Sequence, residues 1–253
     1  MLSEILNCKR LDLYLKFDQP LKSNEVDKYR EWIFRRGKFE PLQYITGKVE
    51  FYGITFRVTP DVLIPRPETE ILVETILNDY KNNGAVKVLD IGVGSGCIAI
   101  SLAKNLAGCE VLGIDISEDA IRIAGENSNA CEAVDKLKLI AGDIRHQSFQ
   151  EQFDLIVSNP PYVSKNEFET LQKEIKEYEP SIAVTDQNDG LDFYRIISTR
   201  LDSLLKPAGK IYFEIGKDQA SEVADILREN GISKIIVIKD LQGIERIITG
   251  EKE

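Results

Sequence analysis

Four short groups of residues could do chemistry together. Asp90-Ile91-Gly92-Val93-Gly94-Ser95-Gly96 places three alternate glycines between a β-rich run and a helical one. That spacing lets the main chain turn sharply and press its N–H groups against a ligand, where a side chain would clash. Gly94 to Ala99 also satisfies the G-x-G-x-x-A dinucleotide pattern, so NAD, another adenosine ligand and a tight turn without ligand all stay open. Asp115 stands 21 positions after Gly94, where a carboxylate can accept both hydroxyls of a ribose. Asp143, in Ala141-Gly142-Asp143-Ile144, is an acceptor placed to meet an adenine amino group. Each acid could also be a simple helix cap.

The fourth group is Asn159-Pro160-Pro161-Tyr162, directly after a β-rich run. The two prolines have no N–H and a fixed φ, so the backbone is rigid and its carbonyls are aimed instead of paired. Asn159 adds a side-chain carbonyl. Two aimed oxygens beside an aromatic ring can hold both hydrogens of a planar NH₂ group and leave its nitrogen facing a second ligand.

These groups need rigid elements to hold them, and hydrophobic periodicity supplies candidates. β-rich runs are predicted at 86–91, 111–114, 137–141, 155–158, 210–215, 235–238 and 246–249, with helical stretches at 97–105, 118–131, 166–175, 191–205 and 218–229. Such alternation predicts a doubly wound α/β fold, a seven-stranded, mostly parallel sheet with helices on both faces and ligands at the carboxyl ends of its strands. The last two runs lie too close for a crossover helix and should form a C-terminal antiparallel hairpin. Upstream, Val49 to Ile64 alternates with period two around Gly53, which predicts a β-hairpin. Leu63-Ile64-Pro65-Arg66-Pro67 is extended and leads into an acidic helix start. Residues 1 to about 40 read as small polar helices, with Ser23 or Asn24 capping the longer one and Gly37 ending it. The expected organisation is 1–40 helical, 41–82 a linker with the hairpin, and 83–253 the nucleotide-binding sheet.

Composition narrows the class. Apolar residues make up 43% and charged residues 29%, and the formal net charge is −10, so tight sequence-blind binding of nucleic acid is not expected. Lys9-Arg10 and Arg35-Arg36-Gly37-Lys38 could serve as local contact points, with solvated helix faces the expected reading. No apolar run reaches the roughly 18 residues that span a bilayer, and the N-terminus has no basic stretch followed by an apolar one. Cys8, Cys97, Cys109 and Cys131 form no C-x-x-C pair, which fits free thiols in the cytoplasm. His146 is the sole histidine, so His-based triads and a zinc site are not expected, and no metal is assigned. A monomer is expected.

The glycine loop, Asp115 and the Asn-Pro-Pro-Tyr quartet resemble class I S-adenosylmethionine-dependent methyltransferases acting on exocyclic or amide nitrogen. Pro41 to Gly47, the hairpin, Leu63 to Glu70 and Phe213-Glu214-Ile215-Gly216 resemble, within that class, the protein-(glutamine-N5) methyltransferases of peptide chain release factors. The likeness runs from Asn7 onward, with a helical N-terminal part shorter than the family's usual one. It implies S-adenosylmethionine as cofactor and a release-factor glutamine as acceptor. The implied cofactor contacts are Asp90, Gly92, Val93, Gly94, Ser95, Gly96, Asp115, Ile116, Asp143, Ile144 and Asn159. The implied substrate contacts are Asn159, Pro160, Pro161 and Tyr162, with Asn159, Pro160 and Tyr162 carrying catalysis. N6-adenine methylation of nucleic acid, a ribosomal-protein glutamine and a non-catalytic adenosine-binding module remain the rival readings.

Overall fold

The structure is a computed structural model that describes residues 1–82 and 84–253; Asn83, at the predicted domain boundary, lies outside the described residues. Its N-terminal part has α1 (Leu2–Ile5), α2 (Arg10–Leu15), α3 (Ser23–Gly37) and α4 (Leu42–Thr46). Neither Ser23 nor Asn24 caps α3. Lys22 is the N-cap residue, and its N–H donates to Glu25 Oε2 at 2.7 Å, so a charged side chain one turn in replaces the expected hydroxyl. Gly37 is the last helical residue, but the left-handed turn after it falls on Phe39, at φ 69°.

The hairpin of β1 (Lys48–Phe51) and β2 (Ile54–Arg57) forms as expected, with Tyr52 and Gly53 both at positive φ, 49° and 71°. Two left-handed residues in a row give the turn whose twist matches the strands. Asn127 ties this hairpin to the glycine loop, because its Nδ2 donates to the carbonyls of Arg57 (3.0 Å) and Ser95 (2.8 Å). After the extended segment, α5 (Pro67–Tyr80) opens with proline at its first position and Glu68 and Glu70 in the first turn.

The sheet domain follows in chain order: β3 (Val86–Ile91), α6 (Cys97–Asn105), β4 (Cys109–Asp115), α7 (Glu118–Ala130), β5 (Leu137–Ala141) and β6 (Phe153–Ser158). Short helices α8 (Lys165–Phe168), α9 (Lys173–Tyr178), α10 (Ser181–Val184), α11 (Asp192–Ser198) and α12 (Leu201–Leu204) then lead to β7 (Leu205–Glu214), α13 (Ala220–Glu229), β8 (Ile232–Lys239) and β9 (Glu245–Lys252). The strand order is β5-β4-β3-β6-β7-β9-β8, parallel except that β9 runs antiparallel to both β7 and β8. This is the expected doubly wound, seven-stranded sheet with a C-terminal antiparallel hairpin. The order reverses between β3 and β6, so the crevice at their carboxyl ends is where a ligand belongs.

Both sheet faces are covered, which explains why the strands read as nearly continuous apolar runs. In β3, Val86 and Val88 join one core with Phe51, Phe56 and α6, while Leu89 and Ile91 join the other with Tyr194, Phe213 and Val223. Two predicted helices are broken. The stretch 166–175 becomes α8 and α9, because Ser164 and Glu167 close a capping box around one turn and the Thr170 hydroxyl bonds back to the Glu167 carbonyl. The stretch 191–205 becomes α11 and α12, with Leu205 already in β7; Arg200 at the break turns its guanidinium to the carbonyls of Ile144 and Gln147. No helix of the described residues is long and apolar enough to cross a membrane. All four cysteines are free.

Candidate active site

A cleft opens at the strand-order reversal. It is lined on one side by Gly92, Val93, Gly94 and Ser95 after β3, by Asp115, Ile116 and Ser117 after β4, and by Asp143 and Ile144 after β5. On the other side stand Ser158, Asn159, Pro160 and Pro161 after β6.

Gly92, Gly94 and Gly96 all take left-handed φ, +77°, +52° and +82°. A Cβ on Gly92 would meet no protein atom within 4 Å, and one on Gly94 only the Gly92 carbonyl at 3.9 Å. Side chains there would stand in the cleft, so these two glycines form a cradle for a ligand. Gly96 has a different role. Its Cβ would lie 3.0 Å from Ile100 Cδ1 and 3.3 Å from Ala124 Cβ, so this glycine permits α6 and α7 to pack closely behind the loop.

Asp115 Oδ2 accepts the Gly94 N–H at 2.9 Å and Oδ1 accepts the Ser117 N–H at 3.0 Å. The loop and the acid therefore brace one another, and each oxygen keeps lone pairs for hydroxyl donors from the cleft. Burial raises the pKa of Asp115 above the ordinary carboxylate value. Asp90 does not line the cleft. It is wholly buried beneath the loop, with Oδ2 accepting the Ala99 N–H at 3.1 Å and Oδ1 without a partner among the described residues. Asp143 reaches the cleft, but its carboxylate is gripped by Arg145, whose guanidinium lies 2.6 Å away and holds its pKa below the usual value. The expected adenine acceptor is thus already engaged by a cation, and the neighbouring buried Ile144 offers apolar contact.

The acceptor side is built from distant segments. Ser158 Oγ donates to the Ile91 carbonyl at 2.6 Å, locking the end of β6 to that of β3. Asn159 Nδ2 donates to Thr69 Oγ1 at 3.2 Å, and Thr69 Oγ1 donates to Glu214 Oε2 at 2.6 Å. Among the described residues no N–H donates to the Pro160 carbonyl. Tyr162 departs from its expected place. It is not among the cleft-lining residues; its hydroxyl donates to Glu214 Oε1 at 3.4 Å, and its ring edge approaches Gly216 so closely that a Cβ there would sit 3.1 Å from it. The Gln219 side chain explains this. Its Nε2 donates to the Tyr162 carbonyl at 3.0 Å while its Oε1 accepts the Gly216 N–H at 2.9 Å, which clamps the quartet to the end of β7.

Sequence similarity fits this geometry. The PrmC N-terminal domain family matches residues 1–47 and the Methyltransferase small domain family residues 67–178. A release factor glutamine methyltransferase of Clostridium acetobutylicum is 41% identical over 250 residues, 98% of this chain and 88% of that one. One from Geobacter sulfurreducens is 43% identical, with 99% and 87% covered. The chain belongs to the release factor glutamine methyltransferase family. A methyltransferase structure from Pyrococcus furiosus shares the fold alone, with a TM-score of 0.60 at 18% identity over 91% of this chain and 99% of that one.

Several residues that line the cleft are not among the candidate site residues that the sequence singles out. Asp61, Val62 and Leu63, ahead of α5, line it, as do Pro180, Ile182, Ala183 and Phe193, between β6 and β7. The stretch ahead of α5 is pinned by the Tyr44 hydroxyl, which donates to the Val62 carbonyl at 2.7 Å, and by Glu179, which accepts the Ile64 N–H at 3.2 Å and pairs with Arg66. The paired prolines around Arg66 are a local signal that this stretch is shaped for a purpose.

Proposed function

We propose that this chain transfers a methyl group from S-adenosylmethionine to the side-chain amide nitrogen, N5, of the glutamine in the Gly-Gly-Gln motif of peptide chain release factors. The observation that carries the reading is the Asn159–Pro161 wall set across the cleft from the glycine cradle, in a chain whose relatives are named for this reaction. The open cradle at Gly92 and Gly94 and the braced carboxylate of Asp115 fit an adenosine-bearing cofactor, with Val93, Ser95, Ile116 and Ile144 around it.

When bound, S-adenosylmethionine supplies an electrophilic methyl group. The chain supplies position. An amide nitrogen is a poor nucleophile because its lone pair is delocalised into the carbonyl, so holding it in line at contact distance is the main catalytic contribution. Asn159 Oδ1 and the Pro160 carbonyl accept its two N–H bonds, and both bonds strengthen as positive charge grows on the nitrogen. Pro161 adds a rigid apolar wall. Tyr162 supports the quartet from behind through Glu214 and Gln219. No histidine is required, since the proton can leave after transfer.

Residues 1–40 form the docking module for the protein substrate in this proposal, 41–82 the connecting hairpin segment, and 83–253 the transfer domain. Methylation of nucleic-acid adenine is the rival use of such a quartet, and the net charge of −10 disfavours it. Incubation with labelled S-adenosylmethionine and a release factor, ribosomes or DNA separates these acceptors. Label on the release factor alone is the expected outcome, and label on DNA alone would overturn the assignment.

A further inference from the structure

The side-chain amide of Asn159 has two ends of nearly equal size and opposite chemistry. Only the oxygen can accept a hydrogen bond from a substrate NH₂ group; the other end would present hydrogens to hydrogens. Something must fix which end faces the cleft.

A directed chain of hydrogen bonds behind the quartet does so. Thr69 has one hydroxyl proton, and with the Glu214 carboxyl ionised that proton goes to Glu214 Oε2 at 2.6 Å. Having spent that proton, Thr69 Oγ1 can only accept, and it accepts from Asn159 Nδ2 at 3.2 Å. Thr69 is 2% exposed and Glu214 1% exposed, so water does not compete for either role. Glu214 is in turn held by the Tyr162 hydroxyl at 3.4 Å, and its main-chain carbonyl accepts the Tyr194 hydroxyl at 2.9 Å. Thr69 opens α5, Glu214 ends β7, and Asn159 follows β6. Three elements far apart in the chain converge on one amide.

We infer that Thr69 and Glu214 are positioning residues that orient the Asn159 amide with Oδ1 toward the acceptor nitrogen. This inference rests on the proposed function. A flipped Asn159 would keep its packing and its place on the cleft wall while losing its acceptor role. Removing the Thr69 hydroxyl therefore acts on the chemical step and leaves cofactor affinity alone, because among the described residues neither Asp115 nor the glycine loop is hydrogen-bonded to Thr69, Glu214 or Asn159.

The test compares Thr69→Val, which keeps shape and removes the hydroxyl, with Thr69→Ser, which keeps the hydroxyl, using a release factor as acceptor. Thr69→Val should lower kcat by about 10-fold to 100-fold, with KM and S-adenosylmethionine affinity within about threefold of the parent. Thr69→Ser should recover most of that loss. Glu214→Gln, which can offer Thr69 either an oxygen or an NH₂ group, should fall between them. Parental kcat in Thr69→Val, or an equal loss in Thr69→Ser, would overturn the inference. A parent chain that methylates no release factor would instead overturn the proposed function. The side-chain amide resonances of Asn159 read the contact without turnover: they should shift in Thr69→Val and not in Thr69→Ser, and no shift in Thr69→Val overturns the inference.

Discussion

The two ends of the cleft are held in opposite ways. At the glycine loop the partners are main-chain groups at a strand end, and the one acid that fixes them, Asp115, is braced by the N–H groups of Gly94 and Ser117. At the quartet the partners are side chains, Thr69, Glu214 and Gln219, brought from α5, the end of β7 and the turn before α13. A backbone-built site tolerates sequence change around it, whereas a side-chain-built site depends on every member of the set. Cofactor binding should therefore tolerate substitution around the first end, Asp115 excepted, and turnover should be fragile at the second.

The contrast is sharpest at Asn159. Asn159→Ala should cut kcat by about 10²- to 10³-fold, the loss typical of one preorganised polar group at a developing charge, with S-adenosylmethionine affinity within a few-fold. Single-turnover kinetics beside calorimetry checks it, and full activity on a glutamine acceptor would break the proposed mechanism. Asp115→Ala should do the reverse, weakening cofactor binding by about 1.5–3 kcal/mol through loss of charge-assisted bonds. Calorimetry with unchanged affinity would take Asp115 out of the site.

Each end also buries an acid. Burial is the first cause that pushes both Asp90 and Glu214 up to about 7. A folded pKa above the unfolded one, about 4, means more protons bound in the folded state, so the stability from these neutral acids is full below pH about 4 and lost as pH rises through about 7. Glu214→Gln cannot ionise, and its Tm should fall less between pH 5 and pH 8 than that of the parent. Parallel Tm curves would show that Glu214 carries no such cost.

The smallest effect on stability is expected in the N-terminal helices, where α1 and α2 bury no residue and Leu15 and Phe17 are 79% and 86% exposed. Leu15→Ser and Phe17→Ser should leave stability within about 0.5 kcal/mol, since exposed side chains away from special contacts seldom matter more. If this module docks the release factor, KM for the intact factor should rise while cofactor affinity holds. An unchanged KM would leave residues 1–40 without a docking role through this face.

The sequence by itself determined the alternation of strands and helices, the hairpin around Gly53, the glycine loop and the quartet. Each of these is written in near neighbours: apolar runs for strands buried on both faces, a glycine that accepts positive φ between alternating runs, prolines that remove N–H groups. The same local grammar misjudged the breaks at Thr170 and Arg200, because a side chain bonding to a nearby or distant carbonyl can end a helix whose periodicity continues. Tertiary structure alone decided that Asp90 and Gly96 stand behind the loop, that Arg145 occupies Asp143, and that Tyr162 faces Glu214 instead of the cleft. It also joined Thr69 and Glu214, separated by 145 positions, into one hydrogen bond. A side-chain bond across that distance leaves no periodic trace along the chain, since it depends on how the sheet brings strand ends together and not on what lies beside each residue.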